Sequence, residues 1–523
     1  MAEITKPTSA GLNSMSRSAW FGFAMLAAIS YFVGLTLPFL GPDEPRYAQV
    51  GREMLERGDW VTPTLGGYPW FEKPALLYWL EIIFYKLFGI NEFAARMGPA
   101  LFGLGTIVAL YLLGRIAEQN TGTLGPKNRG EFARWLALIS ASALGIFVFA
   151  HGASFDILIT FPITAALVCF FKWHSDHESK DAQSERFSPG LAGFYVFIGI
   201  ALLAKGLIGI IFPVAIVIFY YVLRRQMPSG SFIFSLFWGT LVALAVASIW
   251  YVPVYLQNGW PFIDEFFIQH HFQRFTSNKY QHPQPFYFFL WVLPLMTLPW
   301  LPLFFGGIWK FATGSFRQIH TDLETRPDNG GVTPAHSHLF TFSLSWLLVP
   351  LVFFSFSGSK LPGYILPAVP AAVVIAAMYS YQLTRKSRIW MTAVFTTACL
   401  VFVVSIVLFF TVVPRFAKAD SAKGLFAAAA ERGYGNDRVF SMHTISHSAE
   451  FYGAGRLLRE PQGAQKKLYS PAEVISEMQR AGVNHSLVLV PLEYLKQVTD
   501  SPLVHSEIIT DNGDLAIVGV SPA

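Results

Sequence analysis

The stretch Ala75–Gly89, ALLYWLEIIFYKLFG, decides how the rest of the chain is laid out. It is strongly apolar yet short, and it carries Glu81 and Lys86 at helical spacing. A bilayer crossing takes ~20 apolar residues. The stretch therefore reads either as a crossing or as an amphipathic helix lying in the membrane interface. Every loop downstream changes side with that choice.

Eleven other stretches have the length and composition of spans: Ser18–Phe39, Phe93–Ala117, Phe132–Ala150, Ile157–Trp173, Leu191–Ala204, Gly206–Leu223, Phe232–Leu256, Phe286–Lys310, Leu339–Ser357, Leu361–Gln382 and Ile389–Val413. Cytoplasmic loops are enriched in Lys and Arg. If Ala75–Gly89 does not cross, seventeen basic residues fall on the side of the N-terminus, among them Arg115, Arg134, Lys172, Arg224, Lys310 and Arg385. If it crosses, nearly all of them end up outside. The expectation is thus eleven spans, up to thirteen at most, plus interfacial helices. Lys6 and Arg17 precede the first apolar run without a clear cleavage site, so it reads as an uncleaved span.

Composition agrees. The 523 residues are 53% hydrophobic and only 14% charged, against roughly 25% charged in a soluble protein. The net charge of +5 follows the ends of apolar runs instead of forming a nucleic-acid footprint. The two cysteines, Cys169 and Cys399, lie within apolar segments and read as small packing residues. No P-loop, GxGxxG, HExxH or GxSxG pattern is present.

From Pro414 onward the composition becomes that of a soluble domain. Arg438–Ile445 and Ser486–Val490 read as strands, and Pro471–Ala481 as a helix capped by Ser470. Val504–Thr510 and Asp514–Val520 flank an Asp-Asn-Gly turn and read as a hairpin. The division expected is a membrane domain over 1–413 and a small α/β domain over 414–523. His443 and His447 have H-x3-H spacing but no neighbouring ligands, and read as surface residues.

With Ala75–Gly89 held in the interface, the unusual polar residues collect on the external face. Gly41–Pro74, GPDEPRYAQVGREMLERGDWVTPTLGGYPWFEKP, sets four cations against six acids. Ionisable groups packed against a membrane are functional candidates by default. Asp43 and Glu44 lead: a carboxylate there can take a proton from an acceptor hydroxyl or orient an ionised acceptor. Asp43 can equally be the N-cap of a surface helix over Pro45–Arg57. Glu72-Lys73 places a compact cation beside an acid, suited to a phosphate or to a local ion pair. Asp156 in HGASFDILIT stands at the mouth of a span, as a cap or as an acid that orients a ligand. Lys205 interrupts two shortish spans, a pattern found at binding sites in membrane proteins. FFIQHHFQRF brings His270 and Arg274 among aromatics, and SGSKLPGYILP puts Lys360 and Tyr364 at a span start. Lys73, Lys205, Arg274 and Lys360 on one face would form a phosphate clamp.

The run PDEPRYAQVGREMLERGDWVTPTLGGYPWFEKPALLYW resembles the start of the bacterial aminoarabinose lipid A transferases, within the protein O-mannosyltransferase-like group of GT-C glycosyltransferases. FGINEFAARMGPALFG, HGASFDILIT, LLAKGLIG, FFIQHHFQRF and SGSKLPGYILPAVPA resemble the same family in the same order, over about three-quarters of the chain. One departure is Pro45, where those transferases tend to have Thr.

The resemblance implies a polytopic α-helical GT-C enzyme in the bacterial inner membrane, with its N-terminus cytoplasmic and its active site and C-terminal domain periplasmic. It would move one sugar from a polyprenyl (undecaprenyl) phosphate donor to lipid A or another envelope glycan. Asp43, Glu44 and Asp156 are then the expected catalytic acids. Arg46, Tyr68, Glu72, Lys73, Lys205, His270, Arg274, Lys360 and Tyr364 are the expected donor and substrate contacts. The leaving group carries no nucleotide diphosphate, so no cofactor is required, and no ligand cluster supports a divalent metal. A protein acceptor is the nearest alternative, and a transporter of an anionic or lipid-linked solute is the alternative of another class.

Overall fold

The computed structural model describes residues 15–120, 130–179, 188–273, 284–321 and 334–523. Helix α1 (Arg17–Ser30) starts at Ser16, whose hydroxyl accepts the Ala19 amide at 3.1 Å. The helix stops nine residues before the end of the expected first span, and a run of turns follows. Buried partners take the carbonyls freed by this early end. His151 Nε2 lies 3.0 Å from the Ser30 carbonyl, and Arg96 donates to the carbonyls of Leu35, Leu37 and Pro38. Orphaned carbonyls need such partners wherever water is excluded.

Helix α2 (Asp43–Arg57) has two acids in its first turn, which suits the helix dipole, and ends at Gly58 with φ +65°. Its buried face, Tyr47, Val50 and Met54, packs on Leu77, Tyr78 and Ile82 of α3 (Leu76–Phe88). Between them lies a hairpin of β1 (Thr64–Leu65) and β2 (Tyr68–Pro69). Gly66 and Gly67 turn it with φ of +64° and +82°, as a two-residue turn of this hand demands. The Glu53 carboxylate accepts both glycine amides and the Thr64 hydroxyl, tying the hairpin to α2. With 13 residues, α3 is about 20 Å long, shorter than a hydrocarbon core of ~30 Å.

The helical body continues with α4 (Glu92–Asn120), α5 (Glu131–Ala141), α6 (Leu144–Ala150), α7 (Phe155–Ser179), α8 (Pro189–Lys205), α9 (Ile208–Arg224) and α10 (Gly230–Asn258). A short helix, Trp260–Ile263, runs into a π-helical turn over Asp264–Gln273. Then come α11 (Phe288–Met296), α12 (Leu301–Thr321), α13 (Pro334–Ser355), the 3-10 turn Pro362–Ala368, α14 (Val369–Lys386) and α15 (Arg388–Thr411). Among the described residues six helices are long and apolar enough to cross a membrane, eight if each of two bent pairs is one crossing. The bends are 59° between α5 and α6 and 112° between α11 and α12. At the first, the Leu144 amide leaves the helical pattern to bond the Leu298 carbonyl at 2.9 Å. The eleven expected spans correspond in position to these eight together with α1, α8 and α9, which have 14, 17 and 17 residues. The chain is a membrane protein with a helical core.

The C-terminal part is a five-stranded sheet with helices on it. In chain order it holds α16 (Lys423–Glu431), β3 (Val439–Met442), α17 (His447–Tyr452), β4 (Lys467–Leu468), α18 (Pro471–Ala481), β5 (Ser486–Pro491), β6 (Val504–Asp511) and β7 (Leu515–Pro522). The spatial order is β4-β3-β5-β7-β6, with β3 parallel to both neighbours and β7 antiparallel to both of its own. Ser470 caps α18 as its position suggested, accepting the Glu473 amide. Separate apolar cores fill the two faces of the sheet.

The sheet is bound tightly to the first loop and α2. Phe451 stacks edge-on against Phe39, with ring centroids 4.9 Å apart. The Tyr452 hydroxyl donates to Glu92 at 2.7 Å and receives the Phe39 amide at 3.2 Å. Lys423 pairs with the same Glu92 at 2.7 Å, and the Gly41 amide donates to Asp420. Arg459 is paired with the buried Glu450, and its guanidinium lies against Gly66 of the hairpin.

Candidate active site

A cavity of about 320 Å³ opens where the first loop meets the helical body. Its polar wall is Asp43 at the start of α2, Glu72 and Lys73 before α3, Asp156 at the start of α7, Lys205 at the end of α8, His270, and Tyr364. The opposite wall is apolar: Leu207 just before α9, Ile208 and Ile211 of α9, and Phe353 and Phe354 of α13. A charged end and an oily end in one space fit an amphiphile.

Each acid of the polar wall has a cation. Arg46 bonds Asp43 at 2.5 Å and lies 3.5 Å from Glu72. Lys73 pairs with Glu72 at 2.8 Å. Lys205 pairs with Asp156, and its ammonium sits 4.9 Å from the centre of the Tyr364 ring. Burial opposes the charge of Arg46, but Glu72, Tyr47 and Asp43 outweigh it and hold the guanidinium above the ordinary arginine range. Asp43 is half exposed while Glu72 is 7% exposed, so Asp43 is the acid that an incoming group can reach.

Local sequence explains these placements. Lys205 is the last residue of α8, and the break at Gly206 (φ +75°) lets the next helix start at Ile208 without burying the ammonium between spans. Gly363 approaches so closely that a Cβ there would strike the Asp156 carboxylate. A glycine at this point of SGSKLPGYILP is what lets the Tyr364 segment meet α7.

Not all of the expected residues point into the cavity. Glu44 turns away from it. Its carboxylate accepts from Arg96 at 2.6 and 3.1 Å, from the Ala153 amide at 2.7 Å and from the Leu40 amide at 2.9 Å. Adjacent residues of a helix diverge by about 100°, so Asp43 and Glu44 cannot share one role. Tyr68, in the hairpin, packs on Gly463 of the C-terminal part. Lys360 is buried just outside the lining and donates to the carbonyls of Ser357 and Gln284, at 2.6 and 3.0 Å. Arg274 lies outside the described residues. Among the described residues no three His, Cys, Asp or Glu side chains converge as metal ligands.

Sequence reasoning passed over Tyr47, Ser154 and Ser357 in the lining. It also read His447 as a surface residue, which the structure corrects. His447 is mostly covered, with Nδ1 3.3 Å from Glu450, and α17 carries it against α2. Burial pushes its imidazole down to about 4, and the field of Arg46 pushes the same way while Asp43 opposes it. No pattern local to 443–447 reveals that proximity, because it arises from docking across four hundred residues of sequence.

Comparisons with known proteins bear on the same region. The profile of the dolichyl-phosphate-mannose-protein mannosyltransferase family matches residues 19–266. An undecaprenyl phosphate-alpha-4-amino-4-deoxy-L-arabinose arabinosyl transferase of Yersinia enterocolitica is 31% identical over 379 residues, 70% of this chain and 60% of that one. Its namesake from Shewanella sediminis is 33% identical over 359 residues, 66% and 58% of the two chains. The chain thus spans about 60% of the length of the curated relatives it matches. The crystal structure of ArnT from Cupriavidus metallidurans bound to undecaprenyl phosphate superposes with a TM-score of 0.74 at 21% identity, covering 96% of this chain and 98% of that one. Profile, relatives and fold agree: over residues 19–266 the chain is similar to the dolichyl-phosphate-mannose-protein mannosyltransferase family, and its fold is that of the ArnT structure.

Proposed function

We propose that the protein is a glycosyltransferase that moves one sugar from an undecaprenyl phosphate donor to lipid A, in the manner its relatives' names describe. The observation that carries this is the paired cavity: three acids, with Lys73 and Lys205, face an apolar wall of α9 and α13, and Arg46 stands behind Asp43 and Glu72. The wall suits an isoprenoid chain, and the cations suit the phosphate next to it. As the bond between the anomeric carbon and the phosphate oxygen breaks, negative charge builds on the departing phosphate. Arg46, Lys73 and Lys205 would stabilise that charge from fixed positions, which is where most electrostatic catalysis comes from. The acceptor attacks the anomeric carbon from the opposite side, inverting its configuration. A hydroxyl acceptor would lose its proton to Asp43, whereas an ionised phosphate acceptor would only be oriented by it.

In this reading Glu44 is a brace and not a catalytic acid. Lys360 supports the Ser357 segment, and residues 414–523 form a separate external domain. The first loop, the cavity and that domain face the periplasm from the inner membrane, with the N-terminus in the cytoplasm. No metal takes part.

The test is mass spectrometry of host lipid A, envelope glycans and periplasmic proteins, comparing wild type with Asp43→Asn. Loss of an aminoarabinose-type mass from lipid A supports the reading. Loss from protein or another glycan keeps the chemistry and moves the acceptor. No change anywhere, with the variant present in the membrane, overturns it in favour of transport.

A further inference from the structure

The C-terminal sheet carries a second cluster that the cavity chemistry does not use. Strand β3 lies between its two parallel partners: the chain runs from β3 to β4 on one side and then crosses back to β5 on the other. In open α/β sheets, ligands gather in the crevice outside the carboxyl ends of strands at such a switch point. Here those ends deliver His443 directly after β3, Tyr469 directly after β4, and Tyr494 three residues after β5.

The three rings form one group. His443 stacks on Tyr494 with centroids 4.0 Å apart and planes 22° from parallel. It meets Tyr469 edge-on at 5.7 Å. The His443 backbone has φ +58°, a state disfavoured for residues with a side chain and concentrated at functional positions. Its amide is fixed by the Leu468 carbonyl at 2.9 Å, and its Nε2 lies 2.9 Å from Gln497 Oε1. Tyr469 is 57% exposed. The Lys467 ammonium stands 5.4 Å from its ring centre.

An exposed tyrosine wall beside an imidazole and an amide, with a cation at its rim, has the chemistry of a saccharide subsite. The C–H face of a pyranose ring lies on an aromatic ring, while its hydroxyls find the polar edge. An anionic substituent would meet Lys467. We propose that His443, Tyr469, Tyr494, Gln497 and Lys467 bind an anionic saccharide, namely the glycan part of the acceptor.

The position supports this. His447, on the helix α17 that packs against α2, is four residues from His443, so their Cα atoms are at most about 14 Å apart. The tyrosine cluster thus lies within that reach of the helix that packs on α2, whose first residue, Asp43, lines the cavity. This naming of an acceptor subsite rests on the transferase reading, but binding can be measured without turnover.

The test is calorimetric titration of the full-length protein in nanodiscs with a deacylated, phosphorylated glucosamine disaccharide. Wild type is expected to bind, and Tyr469→Ala to weaken binding at least fivefold. Gln497→Ala, on a different segment, decides the matter should Tyr469→Ala fold poorly, and at least a threefold loss is expected. No binding by wild type, or undiminished binding by the tyrosine variant, would each overturn the proposal. Loss of transfer evidence in the mass spectra, with this binding intact, would instead sink only the reading of the cavity.

Discussion

Lys205, at the last turn of α8, reaches the carboxylate of Asp156 at the first turn of α7, forty-nine residues earlier in the chain. Both are mostly covered, at 13% and 19% exposure, and the pair forms one wall of the cavity. If the pair acts as one unit, its losses will not add. Lys205→Met and Asp156→Asn are each expected to lower transfer by ~100-fold, and the double variant by little more than either. A double-mutant cycle on initial rates checks this; fully additive losses would mean the two act separately.

Asp43→Asn is expected to cost at least ~100-fold in transfer rate, within the range for a positioned acid or base. Because the side chain is half exposed, membrane levels and thermal stability should stay near wild type. Quantitative blotting alongside a transfer assay separates the two effects.

The Glu44–Arg96 pair predicts the opposite pattern. Arg96 is 3% exposed and bridges Glu44 to three carbonyls of the first loop. Removing one partner leaves a buried charge uncompensated, at a cost of about 3–5 kcal/mol. Glu44→Ala and Arg96→Ala should therefore lower membrane abundance and apparent melting temperature. A normally abundant, stable but inactive Glu44→Ala would return Glu44 to the catalytic set.

Glu81 sits wholly buried between α2 and α3, against Gly51, and burial pushes its carboxyl well above its usual 4.5. Folding then keeps a proton that the unfolded chain would release. Its contribution to stability is full below about 4.5 and fades as pH rises towards the raised folded value. Glu81→Gln should therefore melt higher than wild type at pH 8, with the gap closing near pH 4.5. Melting curves of the purified protein at several pH values test the sign.

Chelation is the simplest check on the absence of metal from the reaction. Treatment with EDTA, followed by buffer exchange, should leave transfer within about twofold of the untreated enzyme. A loss restored by one added divalent ion would overturn that part of the proposal.

Much of the C-terminal sheet was legible because its signals are local. Ser470 caps α18, and Asp-Asn-Gly turns the last hairpin through the Asn512 side chain, which accepts the amides of Asp514 and Leu515. The helix after Asp43 was equally plain from its apolar stripe. Hydropathy counted spans but could not see that α1 stops at Ser30, since the residues that take its loose carbonyls, Arg96 and His151, lie far along the chain. The same limit hid the bends in α5–α6 and α11–α12. At the site, residue type placed Asp43 and Glu44 together, whereas helix geometry and Arg96 divide them. Lys360 looked like a phosphate ligand, yet it is spent on backbone carbonyls.

The docking of the last hundred residues onto the first loop has a consequence for biogenesis. Helix α2 is among the first segments made, but Tyr452, Lys423, Phe451 and Arg459 are among the last, and they are what hold its surroundings in place. A ribosome must therefore deliver some four hundred further residues after α2 before the start of the site is clamped. Until then the earliest loop waits unsupported at the membrane surface, a long interval for a protease to act. Quality control of this protein would be exerted late, when the segment around 423–459 closes over the first functional residues.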